Sequence, residues 1–477
     1  MPEHRPNILF LMSDEHRADV VGYEGDEVVR TPTLDWLAET GTVFRNAYTP
    51  SPICVPGRQC MMSGQLPGTC DCRSYGDDLP PFSMTFARRF AQHAYRTVCS
   101  GKLHHMGRDQ MQGWTNRLAP DAAVDDRYIE GLIEEEMERH QPPTGIGKWS
   151  NQKEIERAGI ADGRYQHFDR VAVDSAHMFV RRHFLDPEYD RPGAHRPTML
   201  KLSLLQPHYP FFTDAEKFTY YLNRVPIYAD EPVFDHPKLS LSQGGNEVDA
   251  TDRDIRRATA AYYGMVETID GHYRSVLDAL EHAGEDLDDW IIIYTSDHGD
   301  MLGEHAIWEK TQFFEGSVRV PLIIRWPRRF ESSVVEENVN LCDLFATLCE
   351  LAGVELPAPH ETVHGAGLDS RSMVPLMEGR TEDWHDRYHD ESISQIGDSH
   401  LMIKRGDLKY LYYGHLDPQH REVLFDHAED PDESENLASD PAYETKIESM
   451  RERRGELGFG PDADPRYENA GYSPAAG

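Results

Sequence analysis

The sequence predicts an α/β fold, a large and mostly parallel sheet sandwiched by helices, with a small antiparallel-sheet subdomain at the C-terminal end. Three observations predict it. Apolar runs recur at NILFLMS (7–13), YRTVCS (95–100), TMLKLSLL (198–205) and WIIIYTS (290–296). Runs that are apolar throughout, rather than alternating, mark strands buried on both faces. Long helical patterns lie between these runs, above all at 252–282, and suit the crossovers that parallel strands need. After about residue 375 the texture changes to short alternating segments, which fit an antiparallel sheet.

In chain order, the first strand ends abruptly in Asp14-Glu15-His16-Arg17. Such a change from apolar to charged is where α/β folds place ligands. TPTLDWLAET (31–40) reads as a short helix with a Thr cap, Pro at its first position and Gly41 as a stop. A loop leading into a helix follows at 51–64, then a helix over 82–93 and the second strand, which delivers Gly101-Lys102-Leu103-His104-His105. From about 114 to 163 periodicity is lost, apart from an acidic helix at 126–140, and this insert reads as a substrate-facing lid. A helix over 164–185 precedes the third strand, which ends in Gln206-Pro207-His208-Tyr209-Pro210, and 211–250 is a Pro- and Asp-rich loop. The 252–282 helix, closed by Gly284, leads to the fourth strand and Asp297-His298-Gly299-Asp300. A further strand at 320–326 and a helix over 342–352 stopped by Gly353 complete the large domain. Short strands at 400–405, 408–413 and 422–426 and a helix near 442–457 follow. The expected division is a catalytic domain over 1–375, an α+β subdomain over 376–457 and an extended tail over 458–477.

Composition narrows the function. At 477 residues the chain exceeds a comfortable single core. A net charge of −35 would repel a polyanion and excludes a nucleic-acid partner. Only ten of the 48 basic residues are lysine, a balance resembling that of a salt-adapted protein, with an ordinary acidic enzyme from a GC-rich genome as the alternative. Such an enzyme would need locally concentrated positive charge to take an anionic substrate. No run is long enough to span a membrane, and the first strand begins at once without a leader pattern, so the expected location is cytoplasmic. The seven cysteines (54, 60, 70, 72, 99, 342, 349) are odd in number and lack metal-ligand spacing, and Cys70-x-Cys72 reads as incidental. Reduced thiols are expected.

SPICVPGRQCMMSG (51–64) places Cys54 where a loop meets a helix N-terminus, the positive end of the peptide dipoles, with Arg58 one turn later on the same face. Alone, it reads equally as a structural Cys beside a chance Arg. Four strand ends surround it with chemistry. In a parallel sheet those ends lie along one edge and converge, whereas each taken singly reads as a cap or a solvated loop. Asp14, Glu15 and Asp297 are hard oxygen donors suited to Ca²⁺ or Mg²⁺, with His298 as a nitrogen partner. Arg58, Lys102 and Lys310 supply the positive charge, and His104 and His208 the proton carriers. Together these residue types describe a site for transferring a tetrahedral oxyanion.

The chain resembles, nearly end to end, the type I sulfatases of the alkaline-phosphatase superfamily. The segments that carry the resemblance are NILFLMSDEHRADVVGYEG, TPTLDWLAETGTVFRNAYTPSPICVPGR, SGKLHHMG, TSDHGDMLGEHAIWEKTQFFEGSVRVPLIIRWP and LFDHAEDPDESENLA. Within the family it is similar to choline-sulfatase-like and phosphonate monoester hydrolase-like enzymes. The resemblance implies that a formylglycine-generating enzyme converts Cys54 to formylglycine, whose hydrate attacks sulfur. It implies Asp14, Glu15, Asp297 and His298 around a divalent cation beside residue 54, with Ca²⁺ expected and Mg²⁺ or Mn²⁺ as alternatives. Arg58 would hold the formylglycine hydroxyl and Lys102 the sulfate oxygens. His104 would take a proton in the second step, and His208 with Lys310 would serve the leaving oxygen. The substrate implied is a sulfated small molecule or oligosaccharide. The alternatives are a phosphonate monoester or phosphodiester on the same site, and a glycan-binding relic in which Cys54 stays a thiol. Two residues depart from the family pattern: Gly57 replaces the common Ser of Cys-x-Pro-Ser-Arg, and Glu15 stands where Asp or Gln is commoner. Homo-oligomerisation through the tail is a further expectation.

Overall fold

The computed structural model describes residues 5–121, 151–189, 196–228, 234, 236 and 250–460. The acidic helix expected at 126–140 and the tail beyond residue 460 lie outside the described residues.

Eight strands form the main sheet: β1 (Ile8–Asp14), β2 (Thr42–Phe44), β3 (Arg96–Gly101), β4 (Asn116–Arg117), β5 (Thr198–Pro207), β6 (Ile291–Ser296), β7 (Leu322–Arg325) and β8 (Ser333–Val335). Their order is β8-β2-β7-β6-β1-β5-β3-β4. The four apolar runs are therefore the four contiguous central strands, β6, β1, β5 and β3. β1 pairs in parallel with both neighbours, Ile8 standing opposite Met199 and Ile291, and β3 joins β5 in parallel. β7 runs antiparallel to β6 and β2 and makes the sheet mixed on that side.

Continuous hydrophobicity in β1 follows from two layers. Ile8, Phe10 and Met12 pack on one face with the helices Phe86–Gln92 and Leu344–Ala352. Leu9 and Leu11 pack on the other with the helices Arg164–Phe184 and Asp252–His282. Each such side chain removed from water contributes about 1.5–3 kcal/mol, so an unpaired polar residue at any of positions 8–12 would be costly on either face.

Helix starts are set by caps, and here the structure corrects the sequence reading. Thr85 accepts from the Arg88 amide at 3.1 Å and starts the helix Phe86–Gln92 at Phe86 rather than 82. Thr31 does not cap its own helix. Its hydroxyl accepts from Gly22 N and donates to Asp35, and the amides of Thr33 and Leu34 donate instead to the buried Asp270, at 3.0 and 2.9 Å. The beginning of the predicted insert also belongs to the core. Trp114 is buried edge-on against Phe86, and residues 116–117 extend the main sheet.

The C-terminal unit is a four-stranded antiparallel sheet, Glu391–Ile396, His400–Arg405, Leu408–Tyr413 and Glu422–Asp426. One face takes Ile447 and Met450 of the helix Glu444–Glu456. The other packs Met402, Leu411 and Phe425 against Phe313, Phe314 and Val318 of the large domain. The sequence reading missed the first strand, ESISQI, because its interior is polar. Ser392, Ser394 and Gln395 are buried, and Gln395 serves the segments flanking Cys54, donating its amide to Pro50 O and accepting from Gly68 N through its side chain.

Candidate active site

The helix Cys54–Ser63 begins at Cys54, after Ile53 in extended conformation. All ten of its residues are buried, unusual for a helix with this many polar groups. It fits because Gly57 lets it approach: a Cβ there would stand 2.9 Å from Ser51 O and 3.2 Å from Asp297 O. Glycine is thus required here by contact, which accounts for the departure from the family's Ser at this position.

Arg58 fills the space under the nucleophile position. Its Nε donates to Asp297 Oδ2 at 2.7 Å, and Nη2 lies 3.4 Å from Asp14 Oδ2. Nη1 donates to Lys102 O and Ser203 Oγ at 3.0 and 2.9 Å. One guanidinium thereby ties the ends of β1, β3, β5 and β6 together. Lys102 pairs directly with Asp14. Burial alone would push the Asp14 carboxyl up, but Lys102 and Arg58 outweigh it and hold it below the ordinary carboxylate value. Gly101, at φ +90° and with no room for a Cβ beside Ser203 O, lets the chain turn to deliver Lys102.

Cys54 Sγ lies 3.1 Å from His298 Nε2 and 3.9 Å from Asp14 Oδ1. Burial pushes its thiol up to about 11, so an unmodified Cys54 is a poor thiolate at neutral pH. His298 Nδ1 donates to Gly299 O at 2.9 Å, which fixes the tautomer and turns the Nε2 lone pair toward Cys54. Asp14, Cys54, Asp297 and His298 each offer one ligand atom, all within 4.8 Å of one another, and Asp14, Glu15 and His208 form a second such group. Two buried carboxylates and an inward imidazole lone pair are a donor set that suits a divalent cation.

Glu15 faces the other side of the site. Its backbone is left-handed, at φ 67°, held by Glu15 N donating to Asp297 Oδ1 and by the Tyr262 hydroxyl donating to Glu15 O. Its carboxylate meets Lys310 Nζ at 3.0 Å and His208 Nε2 at 3.4 Å. Burial pushes this carboxyl up against the pull of Lys310. Burial pulls Lys310 down, and Glu15, Tyr209, Cys54 and Glu309 together outweigh it and keep the ammonium charged. His208 Nδ1 donates to Tyr209 O at 2.7 Å, leaving Nε2 to accept from Lys310 at 2.9 Å. Burial, then Lys310 and Lys102, press His208 well below the usual imidazole range. Lys310 also lies 4.3 Å from the centre of the Tyr209 ring.

His104 occupies the third side, its Nε2 3.3 Å from the Tyr75 hydroxyl. Burial and Lys102 hold it neutral. Its Nδ1 is buried without a hydrogen-bond partner among the described residues. The amides of Leu103 and His104 donate to Asp121 at 2.7 and 2.5 Å, which keeps His104 at φ 59°.

All ten residues singled out from the sequence thus lie in one buried cluster at the strand ends. Sequence reasoning missed Ser203, Tyr75, Tyr209 as a partner of Lys310, and Asp121. Only Ser203, a polar residue inside a largely apolar strand, left a legible signal.

Comparison with known proteins follows the same lines. The sulfatase family model matches residues 6–354, and a model of the C-terminal part of N-sulphoglucosamine sulphohydrolase matches residues 303–458. The chain is 31% identical to a choline-sulfatase of Rhizobium meliloti over 92% of its own length and 84% of the relative's. It is 29% identical to an arylsulfatase of Clostridium perfringens over 94% and 93%. In fold it is similar to a structure solved with its substrate D-glucosamine-2-N,6-O-disulfate, at a TM-score of 0.73 and 19% identity over 95% of this chain and 98% of that one. A phosphonate monoester hydrolase of Agrobacterium radiobacter matches at 0.72 and 22% identity over 95% of each chain. The central parallel strands, the buried Cys54–Arg58 turn at their ends and these matches together make the chain a member of the sulfatase family, a type I sulfatase of the alkaline-phosphatase superfamily.

Proposed function

We propose that the protein hydrolyses the sulfate ester of a small organic or carbohydrate alcohol, with residue 54 as nucleophile after conversion of Cys54 to formylglycine. The observation that carries this reading is the surrounding of Cys54: Asp14 and His298 within 3.9 Å, and Arg58 and Lys102 both paired to the same Asp14. A formylglycine hydrate would supply a hydroxyl nucleophile, and a divalent cation (Ca²⁺, Mg²⁺ or Mn²⁺) held by Asp14, Asp297 and His298, with Glu15 beside them, would supply positive charge to the sulfate oxygens.

The chain's own groups would do the rest. Arg58 orients the hydroxyl at residue 54, and Lys102 neutralises charge developing on the sulfate oxygens. Lys310 is the proton donor to the leaving alcohol oxygen. His208 has its lone pair on Lys310 and its other nitrogen on a backbone carbonyl, so it orients that ammonium. His104, neutral and with an Nδ1 that has no hydrogen-bond partner among the described residues, accepts a proton at that atom. Exclusion of water from this buried cluster strengthens every one of these interactions.

Turnover of an aryl sulfate against an aryl phosphonate monoester and an aryl phosphodiester tests the proposal. The sulfate is expected to be preferred, and a clear preference for either phosphorus ester would overturn it. Activity should vanish with a chelator and return with Ca²⁺. The Asn46–Arg58 peptide should weigh about 18 Da less than its thiol form.

A further inference from the structure

The described cysteines other than Cys54 are all buried, and two of them are neighbours. Cys60 Sγ, in the helix that begins at Cys54, stands 3.6 Å from Cys70 Sγ, in the short helix Pro67–Cys70. Cys72 contributes its carbonyl to Cys60 Sγ at 3.9 Å, and Cys342 Sγ lies 3.5 Å from Cys60 O. Val55, Leu79 and Val363 close the cluster. In a wholly apolar pocket two thiols in contact would be ordinary packing. Here the surroundings are uneven. Hydrogen bonds from the Cys60 thiol, the Cys72 amide and the Ser63 hydroxyl draw the Cys70 thiol below its ordinary value, while burial pushes Cys60 well above its own. One member is thus the better nucleophile and the other keeps its proton. Gly68, Thr69 and Arg73, on either side of Cys70 in sequence, line a cavity of about 470 Å³, while Cys70 itself is buried behind them.

We propose that Cys60 and Cys70 are a redox pair that closes to a disulfide under a small peroxide, stapling the Pro67–Cys70 turn to the helix that presents residue 54. The Cys70 thiolate attacks one peroxide oxygen, the O–O bond breaks, and a sulfenic acid and hydroxide form. The Cys60 sulfur then attacks the Cys70 sulfur, the S–O bond breaks, and water leaves. The thiol protons convert both oxygens to water, so that two thiols and one hydrogen peroxide give one disulfide and two waters. The sulfurs give up two electrons and the peroxide takes them. The Cys70-x-Cys72 spacing has a role in this pairing, since Cys72 supplies the amide that supports Cys70. The link would close a loop of about ten residues in the unfolded chain and add stability without touching the site residues.

The test is a thiol map of the folded protein, treated with a few equivalents of hydrogen peroxide, unfolded, alkylated and digested with trypsin. Gln59–Arg73 carries Cys60, Cys70 and Cys72 on one peptide. One label, on Cys72, with Cys60 and Cys70 joined, is expected, together with a rise in melting temperature of about 3 °C that a phosphine reductant reverses. Cys72→Ala should still form the link, and Cys60→Ala and Cys70→Ala should not. Three labels on the wild-type peptide, or a Cys70–Cys72 or Cys60–Cys72 link, would overturn the proposal. The wild-type map decides the pairing by itself, whether or not each variant folds.

Discussion

At the scale of residues, the two lysines of the site are separated by their partners. Lys102 pairs with Asp14 and lies with Arg58 behind residue 54, whereas Lys310 pairs with Glu15 and His208 across from them. Lys102→Ala and Lys310→Ala should each lower turnover by roughly 10²–10³, the effect of losing one preorganised charge. An aryl sulfate with a very good leaving group should rescue Lys310→Ala in part and Lys102→Ala not at all. Steady-state rates over a leaving-group series check this, and equal behaviour of the two variants would contradict the division of roles. Gly57 is a second case. Because its missing Cβ makes room for Ser51 O, Gly57→Ser should destabilise the protein by about 1–3 kcal/mol, the usual range for overpacking, measurable by denaturant unfolding. The sequence marked Gly57 as a departure, but only the packing gives its reason.

At the scale of elements, strand ends deliver the reacting groups and neighbouring segments hold them in place. Asp121 shows how. It takes both the Leu103 and His104 amides and so fixes a left-handed turn that a histidine does not adopt freely. Asp121→Ala should lower kcat by about 10–100-fold through misplacement of His104, while Asp121→Asn, which keeps an acceptor oxygen, should recover most of it. A kcat unchanged in the alanine variant would remove Asp121 from the mechanism. No periodicity announces this residue, which lies in the stretch read as a lid. The four central strands and the three C-terminal strands at 400–405, 408–413 and 422–426 were legible, because apolar patterning depends on each strand's own burial. The strand Glu391–Ile396 was not, because it buries polar side chains, of which Ser392 and Gln395 are satisfied by partners remote in sequence.

At the scale of the whole molecule, an ionic cluster joins the two units. Lys409, fully buried on the C-terminal sheet, donates to Glu315 of the large domain at 2.9 Å and to Glu433 at 2.6 Å, and Glu433 accepts from Glu315 N and lies 3.0 Å from His427 Nε2. Burial pushes both carboxyls up, but Lys409 and His427, joined at Glu315 by Arg319 and Lys404, together outweigh it and hold both below their ordinary values. A carboxyl with a depressed folded-state pKa stabilises the protein above its unfolded pKa and loses that contribution as pH falls through the folded one. The docking of the C-terminal sheet should therefore weaken in acid, below the ordinary carboxylate range, and Lys409→Met should destabilise the protein by about 3–5 kcal/mol at neutral pH by removing the buried ammonium that both carboxylates share, Glu315 keeping Arg319 and Glu433 keeping His427. Unfolding curves from pH 7 down to 3 check both. A variant as stable as wild type, or as acid-sensitive, would refute the clamp.

By itself the sequence determined the strand-rich α/β class, the convergence of Asp14, Lys102, His104, His208, Asp297 and His298 on one sheet edge, and the resemblance that Cys54 and Arg58 carry. These follow from hydrophobic runs and from what stands at their ends, both local properties. The tertiary structure decided which charges pair: Arg58 with Asp297, Lys102 with Asp14 and Lys310 with Glu15. It also decided which backbone groups hold the site in strained turns, why residue 57 is glycine, and that Cys60 and Cys70 meet. Pairing and contact depend on distances between segments far apart in the chain, and no periodicity within one segment encodes them.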